Sequence, residues 1–224
     1  MRWFSRVIAT AGIIALPCPL RADDYFVTVF SAQTVPFESK RTHTFVVLHR
    51  VPGGGGPVEE RHISWFPQSR RLRGLTLRPE PGANLTPGET FAHCREQRMR
   101  VSAWGPYRIK LELYELMAAQ QAKLESGKVK YKPTDNVYPS DVAANCYHAI
   151  WQPVAPCRKY SGAFNCGDAS GANTVQLFSK WIVEPCRTHD EFLRLAVPEG
   201  ETVVRRAFDD RPGRVDAIRS AISK

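Results

Sequence analysis

Beyond residue 22, the chain of 224 residues has no apolar run approaching the roughly 20 residues needed to cross a bilayer. It has no CxxC pair and no HExxH, so neither a structural zinc module nor a zinc hydrolase centre is written in its spacing. No glycine-rich loop leads from a strand into a helix; the one glycine tract, Gly53 to Gly56, feeds another strand. No stripe of Lys and Arg is interleaved with aromatics, which argues against a nucleic-acid surface. Internal repeats and a domain linker are missing as well. These absences leave a single domain that needs no cofactor or metal and has no membrane span.

What is present begins with a leader. Arg2 and Arg6 form a positive start, Val7 to Leu16 is an apolar run, and Leu20-Arg21-Ala22 ends on a small residue. Residues 1–22 therefore read as a signal peptide, with the working chain starting near Asp23 and a secreted or periplasmic destination. Pro17 ahead of Cys18 argues against a lipid-attachment box. Losing Arg2, Arg6 and Arg21 lowers the 31 basic residues to 28 against 22 acidic ones, a balance of +6. That balance reads first as a solvated basic face, with mild attraction to anionic envelope polymers or lipid headgroups as the alternative. The remaining length is enough for one real core. The expected organisation is a domain over 23–200 and a charged tail, with some helical potential, over 201–224.

Past the leader there are five cysteines, Cys94, Cys146, Cys157, Cys166 and Cys186, an odd number for an oxidising compartment. Cys157 and Cys166 lie nine positions apart in a loop-like segment and are the expected disulfide. Cys94 and Cys186 are the residual pair, which leaves Cys146 over.

Residues 25–31, 42–51, 59–66 and 98–104 read as strands from their β-branched and aromatic content. The tract Pro52-Gly53-Gly54-Gly55-Gly56-Pro57 is a hairpin loop, and 67–90 reads as a long irregular loop. A short strand follows at 128–131. Helices are expected over 109–126, closed by Gly127, over 140–151, starting at Ser140 or Asn145, and over 172–184. Thr188 to Glu191 has the form of a capping box opening a short helix. The fold class is α+β, an antiparallel sheet packed against helices.

Chemistry concentrates at Asn145-Cys146-Tyr147-His148. A cysteine at a helix start meets unpaired N–H groups and the positive end of the dipole, which favour thiolate. A nucleophilic thiol also needs a base. His148 is two positions on and points away from Cys146. His43 shares a strand face with Phe45 and Val47 and would point inward, where an imidazole needs a partner. The alternative is a satisfied core histidine and a small buried cysteine. His49, His93 and His189 read as structural or exposed. Asn84-Leu85-Thr86 fits a glycosylation sequon.

A histidine strand, a second strand and then an Asn-Cys-x-His helix resemble the circularly permuted papain-like group. That group includes bacterial NlpC-type envelope hydrolases and the lecithin retinol acyltransferase-like proteins. Asn145, Cys146 and His148 match the acyltransferase-side motif, with Ala149 where the motif has an aromatic residue. The likeness spans residues 25–152. It implies a permuted papain-like fold, with Cys146 as nucleophile and His43 as base. The orienting residue would come from the next strand, His62 ahead of Ser64. The implied activity is hydrolysis or acyl transfer at an amide or ester of an envelope peptide, lipid or polymer. The other reading is a catalytically silent secreted domain that binds envelope polymers or a partner protein.

Overall fold

Alternating valine, phenylalanine and alanine give the first strand two apolar faces, and the fold is built by covering both. The computed structural model describes residues 22–71, 78–134, 138–139, 141–156 and 167–210. The expected leader and the Cys157–Cys166 pair lie outside these residues. Strand β1 (Asp24–Thr34) is central, with β2 (Thr42–Val51) antiparallel on one side and β6 (Met99–Ile109) antiparallel on the other. Strand β3 (Glu59–Ile63) continues beyond β2, and β9 (Val204–Arg206) adds to β6. A second sheet orders β4 (Trp65–Pro67), β5 (Glu80–Asn84), β7 (Lys130–Tyr131) and β8 (Ala143–Ala144). The β6–β9 and β7–β8 pairs are parallel, so the α+β class holds while the sheets are mixed rather than wholly antiparallel.

Helices cover both faces of the large sheet. On one face Val27, Val29, Val46, Leu48 and Trp104 pack with α2 (Leu111–Glu125), α3 (Cys146–Trp151) and α4 (Asp168–Phe178). On the other, Phe30, Ala32, Phe45 and Val47 pack with α1 (Pro87–Glu96) and α5 (Asp190–Ala196). There the rings of Phe30 and Phe45 stack at 4.7 Å, and Phe91 meets each of them edge-on at 5.7 Å. Burying either face of β1 removes several large side chains from water, each worth roughly 1.5–3 kcal/mol.

Strand β6 was expected to end at Gly105-Pro106 but runs through it. The β1 register steps from Val29↔Trp104 to Val27↔Tyr107, so Gly105 and Pro106 together oppose Thr28. This bulge resets the alternation and turns both Trp104 and Tyr107 inward. Gly105 takes φ +83°, and a Cβ there would sit 2.8 Å from the Val27 carbonyl oxygen. Only glycine fits.

Three further expectations need correction. Residues 87–96, within and just after the supposed loop, form α1. Thr86 caps it by accepting from the Glu89 N–H at 3.2 Å, while the Glu89 carboxylate accepts from the Thr86 N–H at 3.0 Å. The box expected at 188–191 does not close: the Thr188 hydroxyl donates to Asp190 at 3.3 Å, and His189 is the residue ahead of α5. The tail beginning at 201 is not separate through its first residues, because β9 is bonded into the large sheet.

Candidate functional site

Cys146 is the first residue of α3, and the capping residue is Asn145. The Asn145 Oδ1 accepts from the N–H groups of Tyr147 at 3.1 Å and His148 at 2.8 Å. Of the two expected starts, the asparagine is the one used. Cys146 is half-buried and packs against the core that contains Val46 and Leu48.

His43 belongs to the other face. Side chains alternate along β2, so His43 points with Phe45 and Val47 toward α1, while Val46 and Leu48 point toward α3. The expected Cys146–His43 pairing is therefore not the arrangement found. His43 Nε2 lies 2.9 Å from Ser64 Oγ, and its ring lies 3.8 Å from Phe66 and 5.7 Å from Phe45.

The direction of this hydrogen bond follows from its neighbours. The Thr90 hydroxyl donates to the Thr86 carbonyl at 2.9 Å, so its oxygen accepts from Ser64 at 2.7 Å. Ser64 has only one hydroxyl proton to give. It must accept from His43, which places the imidazole proton on Nε2. In that tautomer His43 takes no proton from Ser64, and the serine is not an activated nucleophile. Ser64 is held on its backbone side as well, its N–H donating to Asn84 Oδ1 at 2.7 Å. Asn84 Nδ2 donates to the His62 carbonyl and to Glu125, which occupies the sequon side chain with structural bonds.

His62, expected to orient the base, is half-buried at the sheet edge with Nδ1 4.0 Å from Glu60. Ser64 takes the place beside His43 because it is the residue between β3 and β4 and turns toward α1. His93 lies on α1 with its ring edge-on to Phe66. His49 is buried, its ring 5.7 Å from Phe192, and His189 packs on Phe26 at 4.7 Å.

Burial pushes His43 well below the ordinary histidine value, with nearby His93 adding to it; burial also lowers His93 and His62. The sign of the pH effect follows. These groups take up protons more readily when unfolded, so stability is full above about pH 6.5 and falls as pH drops below it. Each group contributes at most about 1.4 kcal/mol per pH unit. Urea unfolding should give a constant midpoint from pH 8 to 7 and a falling one from pH 6.5 to 5, before carboxylates titrate. His43→Gln should flatten the fall.

Cys94 and Cys186 are free, which corrects their expected pairing: Cys94 lies in the α1 core and Cys186 on the surface. Burial pushes the Cys94 thiol up to about 12, which leaves it inert.

Sequence reasoning did not single out Asp168, a buried carboxylate with four polar partners at the start of α4. It is 4% exposed. Its Oδ1 accepts from Ser31 at 2.8 Å, and its Oδ2 from Arg206 at 2.7 Å and also from Arg100. Its own N–H donates to Gln33 Oε1 at 2.9 Å. Close by, the Thr44 and Ser170 hydroxyls touch, Thr174 donates to the Ser170 carbonyl, and Trp151 Nε1 donates to Thr174, both at 2.8 Å. The network ties α3, α4 and β9 to the sheet. Arg206 reaches it from β9, beside Arg205 in the chain, while Arg205 turns to Asp190 at 2.9 Å. A carboxylate holding two guanidinium groups acts as a clasp between the elements that carry them.

Among the described residues no three His, Cys, Asp or Glu side chains gather as a metal site. No described helix is long and apolar enough to cross a membrane. A surface groove of about 440 Å³ is lined by residues 22–25, 108–111 and Val183. Comparison with protein families, curated proteins and solved structures finds no match.

Proposed function

We propose that the protein is an exported binding domain of the cell envelope that makes no catalytic use of Cys146. The observation supporting this is the bonding of His43. Its Nε2 proton is committed to Ser64 on the α1 face, while Cys146 belongs to the α3 face. The base that the resemblance assigns to Cys146 is thus engaged elsewhere, and nucleophilic catalysis needs that base beside the thiol. The permuted papain-like plan remains our reading of the element order, with the histidine drawn into the core. The leader over 1–22 and the mature balance of +6 favour partners in the secreted or periplasmic space.

The test uses the exported form with isolated envelopes and, separately, with thioester, ester and peptide substrates. Saturable sedimentation with envelopes, unchanged in Cys146→Ala, and no turnover above the blank are expected. Turnover that disappears in Cys146→Ala would overturn the proposal and restore the hydrolase or acyltransferase reading.

A further inference from the structure

The groove that opens at Ala22 has the chemistry of a membrane-contacting face. Two of its apolar residues stand out of the surface: Leu111 is 44% exposed and Val183 47%. They sit on adjacent segments locked together by backbone bonds. The Lys110 N–H donates to the Trp181 carbonyl and the Val183 N–H to the Arg108 carbonyl, both at 2.9 Å. Trp181, next but one to Val183, is half-buried against the core, and Lys180 Nζ lies 3.9 Å from the centre of its ring. The groove's acids are already engaged: Asp24 with Arg108 at 2.6 Å, and Asp23 with Arg50 at 2.7 Å. Lys110 and Lys180 are exposed, and among the described residues neither is paired with an acid.

An exposed leucine and valine beside a tryptophan and lysines that no described acid holds match the membrane–water interface. Apolar side chains enter the acyl boundary there, an indole sits at headgroup depth, and lysines meet anionic phosphates. The chain itself gives the orientation. Twenty-one residues precede Ala22, which lines the groove, and they contain the positive start and the apolar run of an export leader. Before the leader is cleaved, its apolar run in the bilayer would bring this face to it first.

We infer that the Leu111–Val183–Trp181 face docks on an anionic phospholipid surface. This deepens the binding reading above and rests on it. Headgroup phosphates would meet Lys110 and Lys180, and the apolar strip would enter only the outer boundary. Binding is therefore weak, reversible and salt-sensitive.

The test takes the exported form, residues 23–224, which keeps every described element. It is mixed with vesicles of phosphatidylglycerol and phosphatidylethanolamine, with phosphatidylcholine vesicles, and with a soluble anionic polysaccharide. Co-sedimentation is expected with the first alone. It should weaken at least tenfold in Leu111→Asp/Val183→Asp and in Lys110→Glu/Lys180→Glu, and fall as salt rises. These side chains are exposed, so near-ultraviolet circular dichroism should match the parent protein. Trp181 emission should shift to the blue on binding, and Trp181→Phe should remove the shift. Equal sedimentation of parent and variants, or equal capture by the polysaccharide, would overturn the inference. Binding to whole envelopes without binding to vesicles would overturn it and leave the broader reading standing. Binding to neither would overturn both.

Discussion

Replacing Asp168 with alanine should lower stability by about 3 kcal/mol, the lower end of what breaking a buried ion pair costs. The carboxylate side chain is 5% exposed, while Arg100 and Arg206 keep 36% and 21%, so the stranded cations can partly turn to water. Ser31, which is fully buried, has no such escape and loses its acceptor. The loss should appear as a lower denaturant midpoint with an unchanged slope. Asp168→Asn should fall between, since an amide can still accept from Ser31 but gives Arg206 no charge. An Asp168→Ala midpoint within experimental error of the parent would mean that the clasp does not hold α4 and β9 to the sheet.

The second large effect is expected three residues further along α4. A Cβ at Gly171 would lie 2.4 Å from Cζ3 of Trp104 and 3.1 Å from Cβ of Ser31. Trp104 is fully buried and cannot yield. Alanine would gain about 1 kcal/mol of helix propensity, but overpacking costs about 1–3 kcal/mol. Gly171→Ala should therefore be destabilising on balance. Gly171→Val, with two more carbons against the indole and a poorer helix former, should cost about 3 kcal/mol or prevent folding. Thermal unfolding of the two variants would rank them. An alanine variant more stable than the parent would contradict the close approach of helix and sheet.

How much of this was visible in the chain depended on how local the signal was. Strands β1 and β2 and the glycine loop between β2 and β3 were legible because alternation and punctuation are local. Helix α2 was legible too: of its apolar positions Leu113, Leu116, Met117 and Leu124, all but the half-buried Leu116 are buried. Helix α1 was hidden by Pro87 and Gly88, which look like loop residues. Thr86 and Glu89 nevertheless form the capping box, with Pro87 at the permissive first turn. The Thr188 box looked as good but lost its hydroxyl to Asp190. At the site, period-two alternation correctly turned His43 inward toward a polar partner. It could not tell which face of the sheet would receive α3. A strand has two insides here, and the cysteine helix took the one His43 does not face. The Asp168 clasp was invisible because Ser31, Arg100 and Arg206 are brought together only by the folded sheet.

The separation of Cys146 from His43 is tested most directly by alkylation of Cys146 with iodoacetamide, resolved by peptide mass spectrometry from the other cysteines. Its rate is followed from pH 6 to 9 in the parent protein, in His43→Gln and in Ser64→Ala, under conditions where all three are folded. If the histidine is tied to Ser64 on the far face, the three profiles superimpose. A tenfold or greater loss of Cys146 reactivity near pH 7 in His43→Gln alone would mean that the thiol and the imidazole work as a pair, and would contradict the account.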